Sequence, residues 1–244
     1  MSLISRILAI LLVAVSAVTG SAAEESPTTP KERTDSLGKD QLNEINTDIK
    51  KMDGKIDLAF IGDSITRRWR GAGNKEVWDK YWGSYRAVNM GIGGDQTQNV
   101  LWRLQNGQLD GYQARMFVVM IGTNNCWGKQ TVPADVADGV KKILELIQSK
   151  QPQAKILLLS IFPTGAKPNP GREKRTAINA LISKFAGGPV QYMDISAKFL
   201  EPDGTISKEV MPDELHLGPK GYEVWSEAIK DKVKELLSDA SSGK

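Results

Sequence analysis

A three-layer α/β/α sandwich around a five-stranded parallel sheet is the fold the sequence predicts, and three observations predict it. Short apolar runs alternate with helical patterns along most of the chain, and such alternation makes parallel strands joined by right-handed helical crossovers. The run Ile156-Leu157-Leu158-Leu159 is apolar without interruption, as suits a strand covered on both faces. A chain of 244 residues, 40% hydrophobic and 25% charged, is long enough to bury one substantial core without covalent staples.

The first segment is not fold. Arg6 supplies a positive n-region, residues 7–18 are apolar or small throughout, and Ser21-Ala22-Ala23 before Glu24 suits cleavage after Ala23. A run of about a dozen residues is short for a bilayer span of roughly twenty. Residues 1–23 are therefore expected to be a removed signal peptide, which implies export to the periplasm or exterior and no stable membrane insertion afterwards. Residues 24–39, rich in Ser, Thr, Pro and charge, are expected to be a flexible leader with little to bury.

In residues 41–52, Leu42, Ile45, Ile49 and Met52 recur at intervals of three and four, the period of a covering helix. Strands are expected at 56–61, 85–89, 116–121, 155–161 and 190–193, with helices near 75–81, 96–104, 133–149, 172–185 and 219–237. Pro133 suits the first turn of its helix, and Gly187-Gly188-Pro189 stops the helix before it. With no internal repeat or second core, residues 40–237 read as one domain, followed by a disordered tail at 238–244.

Composition narrows the function. The net charge of +3 comes from 32 basic and 29 acidic residues scattered along the chain, which argues against a nucleic-acid surface. Cys126 is the only cysteine and His216 the only histidine. No intrachain disulfide can form, a zinc site lacks ligands, and neither metal nor cofactor is expected. Cys126 reads as a small buried apolar residue.

The chemistry-bearing residues fall at strand ends. Leu58-Ala59-Phe60-Ile61 stops at Gly62, so Ser64 is presented at the strand's C-terminal edge, where open α/β sheets bind ligands. A hydroxyl is a poor nucleophile without a positioned base. His216 is the one candidate, and Asp213, three residues earlier, can orient and support its imidazole from the same loop. An ordinary core or surface histidine is the competing reading. Two glycine-rich turns follow other strands: Gly91-Ile92-Gly93-Gly94-Asp95 and Gly122-Thr123-Asn124-Asn125. Their backbone N–H groups and the Asn124 amide are donors of the kind an oxyanion needs. Taken separately, each is also an ordinary tight turn; the first lacks the Lys and Ser/Thr of a P-loop.

Taken in order, Gly62-Asp63-Ser64, Gly94 before Asp95, Gly122-Thr123-Asn124 and Asp213-x-x-His216 resemble the four blocks of the SGNH, or GDSL-type, hydrolase superfamily. A narrower likeness is carried by Asn89-Met90-Gly91-Ile92-Gly93-Gly94-Asp95, Leu101-Trp102-Arg103-Leu104, Pro168-Asn169-Pro170 and Asp203-Gly204-Thr205-Ile206-Ser207. These look like the catalytic subunits of platelet-activating-factor acetylhydrolase. Cys126 stands where those subunits carry a second histidine.

The resemblance implies a flavodoxin-like SGNH hydrolase fold with strand order 2-1-3-4-5. It makes Ser64 the nucleophile, His216 the general base and then acid, Asp213 its supporting carboxylate, and Ser64 N–H, Gly94 N–H and the Asn124 amide the oxyanion hole. Activity is then expected to fall in acid as His216 protonates. Asp63, Asn125 and Trp127 complete the candidate pocket residues, although Asp63 also reads as structural, bonding the turn. Core packing is the default for most of the six tryptophans. The expected substrate is a small-molecule or glycan acetyl ester. Lipid acetyl esters, lysophospholipids and thioesters are alternatives on the same chemistry, as is a silent binding module. A homodimer is compatible with this reading.

Overall fold

Five apolar runs form β1 (Lys55–Gly62), β2 (Ala87–Gly91), β3 (Gln113–Met120), β4 (Lys155–Leu159) and β5 (Val190–Met193), all parallel, in the order β2-β1-β3-β4-β5. Around them lie α1 (Ser36–Lys51), α2 (Ser64–Arg67), α3 (Asn74–Trp82), α4 (Thr97–Arg103), α5 (Pro133–Lys150), α6 (Pro170–Ile182) and α7 (Pro219–Asp239). The computed structural model describes residues 26–128 and 131–239. The expected signal peptide lies outside the described residues.

Alternation along each strand splits the core between two faces. Ala59, Ile61, Phe117, Val119, Ile156 and Leu158 meet α1, α4, α5 and α6 through Ile45, Val100, Val140 and Ile178. Leu58, Phe60, Val118, Met120, Leu157 and Leu159 meet α2, α3 and α7 through Ile65, Val77 and Trp225. The second face is aromatic: Phe60 lies 6.4 Å from Trp69, 5.5 Å from Trp82 and 6.2 Å from Trp225, centroid to centroid. All three indoles are buried, and at these spacings aromatic pairs add to simple area burial.

Local signals set the helix starts. Asp35 caps α1 by accepting from Gly38 N, Asn169 caps α6 by accepting from Arg172 N, and Pro133 and Pro170 open their helices, where a missing N–H costs nothing. The Asp35 cap also explains why α1 begins before residue 41.

At both ends of the domain the structure departs from expectation. In its described part the leader is docked, not flexible: Lys31 N donates to Gln98 O at 3.0 Å, Thr97 Oγ1 to Pro27 O at 2.8 Å, and Asn99 Nδ2 to Lys31 O at 3.1 Å. With nothing apolar to bury, it binds through its carbonyls and amides to the polar face of α4. At the other end α7 continues through Asp239, so residues 238 and 239 are helical where a disordered tail was expected. Ser238 Oγ still returns a bond to Lys234 O at 2.8 Å; residues 240–244 lie outside the described residues.

Candidate active site

The sheet register brings three loops to one edge. Gly62 at the end of β1 stands beside Gly91 of β2 and Met120 of β3, so the segments that follow start next to one another. Asp63 Oδ1 accepts from Ile65 N at 2.9 Å and turns the chain at once into α2, whose first residue is Ser64. Gly91 lets α2 lie against β2, since a Cβ there would stand 2.3 Å from Arg67 N. From the opposite side Tyr222 of α7 donates its hydroxyl to Ile65 O at 2.6 Å. The serine is thus fixed by its own turn, by close backbone approach and by a buried phenol.

The loop before α7 supplies the facing groups. Asp213 Oδ1 accepts from Leu215 N at 3.1 Å and His216 N at 2.6 Å, an aspartate turn closed on the backbone. Glu214 takes a left-handed φ of 62°, and its carbonyl accepts from Gly165 N at 2.6 Å. This folds the loop so that Asp213 Oδ2 lies 2.8 Å from His216 Nδ1, while His216 Nε2 lies 2.9 Å from Ser64 Oγ. Partial burial raises the Asp213 pKa, but the His216 backbone, the His216 ring and Leu215 N–H outweigh it and hold the carboxyl at about 2. An ionised carboxylate only accepts, so Nδ1 carries the proton and Nε2 offers its lone pair to Ser64. Arg68 Nη1 makes a second contact to Asp213 Oδ2 at 3.2 Å.

The other two loops carry the donors. Gly94 has a φ of +82°, and among the described residues neither its N–H nor that of Ser64 is given to a protein acceptor. Asn124 Nδ2 donates to Asp95 O at 2.9 Å, and Gln96 Nε2 to Asn124 O at 3.2 Å, which ties the asparagine turn to the glycine turn. Behind them Asp95, fully buried, holds Arg103 Nε at 2.9 Å and Arg33 Nη1 at 3.3 Å. Arg103 also reaches Gly62 O at 3.3 Å, linking the second loop to the first.

Two of the three expected pocket residues, Asp63 and Asn125, are corrected. Asp63 is fully buried beneath the turn and does not line an open pocket. Asn125, 5% exposed, spends its side chain on Thr97 N at 3.0 Å and Gln98 Oε1 at 3.1 Å, because the N-terminus of α4 needs an acceptor. Trp127 is 58% exposed, a ring at the surface with one face 5.2 Å from the Arg175 guanidinium. Cys126 is buried, its Sγ 3.3 Å from Gly122 O, and burial pushes the thiol pKa up.

Arg33, Gln41, Arg68, Arg103 and Tyr222 bear on the site and escape sequence reasoning. Only Arg103 left a signal: a carboxylate at Asp95 inside an apolar turn calls for a buried cation, and Arg103 lies two helical turns on. Among the described residues no metal-binding cluster of His, Cys, Asp and Glu is present, and no helix is long and apolar enough to cross a membrane. A hydroxyl bonded to an imidazole that is bonded to a carboxylate, with free donors at neighbouring strand ends, has the parts for nucleophilic acyl transfer.

Comparison with known proteins agrees with that chemistry. Residues 60–224 match the model of the GDSL-like lipase/acylhydrolase family. Platelet-activating factor acetylhydrolase IB subunit alpha2 of Rattus norvegicus is 38% identical over 208 residues, covering 84% of this chain and 86% of its own. The human alpha1 subunit is 38% identical over 188 residues, covering 76% and 79%. Among solved structures, a GDSL-like lipase from Bacteroides thetaiotaomicron superposes with TM-score 0.64 at 17% identity, covering 81% and 97%. A variant of an acetyl-xylooligosaccharide esterase from Geobacillus does so with TM-score 0.59 at 17% identity, covering 75% and 96%. These two likenesses establish the fold.

Proposed function

Because the chain belongs to the GDSL-like lipase/acylhydrolase family, we propose that it is a serine esterase that hydrolyses short acyl esters, acetyl above all, through an acyl-enzyme on Ser64. The observation that carries this is the unbroken line from Ser64 Oγ to His216 Nε2 at 2.9 Å and from His216 Nδ1 to Asp213 Oδ2 at 2.8 Å. Ser64 Oγ attacks the ester carbonyl carbon while His216 Nε2 takes its proton. The resulting oxyanion is held by Ser64 N–H, Gly94 N–H and the Asn124 amide. The carbon–oxygen bond to the alcohol breaks as His216 returns the proton to the leaving oxygen, and water then repeats both steps on the acyl-enzyme.

Acetyl is favoured because the curated relatives, alike over most of their length, are named acetylhydrolases. For the alcohol we favour an acetylated carbohydrate met outside the cytoplasm. The export-like leader supports this, as does the open face of Trp127 just past Asn124, where a sugar ring can stack. An acetylated lipid is the second reading, favoured by the same relatives.

The test is hydrolysis of p-nitrophenyl esters from acetate to octanoate beside Ser64→Ala. Rapid acetate turnover that the variant loses by on the order of 10⁴-fold or more is expected; equal rates in both proteins would overturn the reading. Acetylated xylo-oligosaccharides against an acetylated glycerophospholipid then decide the alcohol, and fractionation of expressing cells decides the compartment.

A further inference from the structure

We propose that Arg33, with Gln41, is a positioning residue that sets the orientation of an oxyanion-hole amide, so that the segment ahead of the Gly62-Asp63-Ser64 block is part of the catalytic apparatus. This rests on the esterase reading above. Gly93 is gripped on both sides: its N–H donates to Gln41 Oε1 at 2.8 Å, and its carbonyl accepts from Arg33 Nη1 at 2.9 Å. The Gly93 carbonyl and the Gly94 N–H belong to one peptide plane, and in a trans peptide they point in opposite directions. A guanidinium that draws the Gly93 carbonyl toward the N-terminal segment therefore turns the Gly94 N–H away from it. That amide has no protein acceptor among the described residues, as a donor reserved for a substrate oxygen must not.

The loop needs such a hold. Gly93 and Gly94 are adjacent glycines, the least restrained residues a backbone has, and a peptide between two of them can flip at little steric cost. A flipped plane would present a carbonyl oxygen to a developing oxyanion where a donor is required.

Arg33 is itself built in. Its Nε and Nη2 meet Asp35 Oδ2 and Oδ1 at 2.6 and 3.0 Å, and Nη1 also faces the buried Asp95 Oδ1 at 3.3 Å. Asp35 accepts in addition from Gly38 N at 2.9 Å, so the cap of α1 and the fork that orients the guanidinium are one carboxylate. Bidentate pairing of this kind fixes direction as well as distance. Asp95 keeps Arg103 when Arg33 is removed, so loss of Arg33 does not strand a buried charge.

The experiment compares the full chain with Arg33→Met and Arg33→Lys on p-nitrophenyl acetate, with Ser64→Ala as control. Arg33→Met is expected to lower kcat by on the order of 10- to 100-fold, below the loss from deleting an oxyanion donor outright, with KM little changed. Inhibition by a trifluoromethyl ketone, which forms an anionic tetrahedral adduct, should weaken by the same factor. Millimolar guanidinium should restore part of the rate, because the Arg33 side chain is 23% exposed, and Arg33→Lys should retain more activity than Arg33→Met. Unchanged kcat with only a lowered melting temperature would overturn the proposal. A crystal structure of Arg33→Met, or the ¹⁵N–¹H resonance of Gly94, decides independently of turnover. A displaced or mobile Gly93–Gly94 peptide is expected, and one unmoved from wild type overturns the proposal even if no ester is hydrolysed.

Discussion

Ser64, Asp63 and Asp213 lie close in sequence or space yet meet opposite electrostatic conditions. Burial, with only partial relief from the Ile65 N–H and the Thr123 hydroxyl, drives the Asp63 pKa up to about 7. Its folded-state pKa is raised above the unfolded value near 3.8, so the folded state holds the extra proton between those values. Stability from this residue is therefore greatest in acid and declines as pH rises toward 7. Asp63→Asn keeps the Oδ1 acceptor that caps Ile65 N and removes the titration. Urea unfolding should show wild type losing about 2–3 kcal/mol relative to Asp63→Asn between pH 5 and pH 8; parallel stability profiles would refute a buried, titrating Asp63. Asp213 behaves the other way. Its carboxyl is held at about 2, so it stays ionised throughout the range where activity is measured. His216→Ala should lower kcat by on the order of 10⁴-fold or more, and a rate close to wild type would remove His216 from the base role.

At the scale of elements, α2 is the piece on which the nucleophile depends, and it is only four residues long. A helix that short has no stability of its own; it is held by its neighbours. Gly91→Ala would force a Cβ to within 2.3 Å of Arg67 N. That should cost about 1–3 kcal/mol and lower kcat, read together as a urea midpoint and a rate. Tyr222→Phe removes the 2.6 Å bond to Ile65 O and should cost about 1–2 kcal/mol, with a smaller fall in kcat. A normal rate in both variants would show that Ser64 does not rely on α2. The short helix was not legible in the sequence, because four residues carry no period. The strands and long helices were, since each spans enough residues for apolar spacing to show. The docking of residues 26–35 was hidden for another reason: it is made by backbone atoms and by Arg33, which reaches a loop 60 residues away. Composition reports what a segment can bury, not where its polar groups find partners.

On the scale of the whole molecule, the strand ends were legible because a parallel sheet gathers its loops at one edge. Ser64, Gly94 and Asn124 each follow an apolar run, and the order β2-β1-β3 makes those runs neighbours. Exposure of the candidate pocket was not legible, as Asp63 and Asn125 show, because it depends on what lies above each loop. The same topology makes the site a product of the entire fold. Ser64 leaves β1, His216 precedes α7, and the aromatic layer of Phe60, Trp69, Trp82 and Trp225 joins those two elements. Unfolding the layer must therefore separate nucleophile from base. Four of the six tryptophans, Trp69, Trp78, Trp82 and Trp225, belong to or pack on that face, so intrinsic fluorescence reports its integrity. If the domain is one cooperative unit, urea titrations followed by fluorescence and by p-nitrophenyl acetate hydrolysis should share one midpoint. Trp225→Ala, which empties a fully buried site, should move both midpoints down together by an amount equivalent to about 3–5 kcal/mol. Activity vanishing at lower urea than fluorescence would mean that the loop carrying His216 opens on its own, and that α7 does not bind the two halves of the site into one transition.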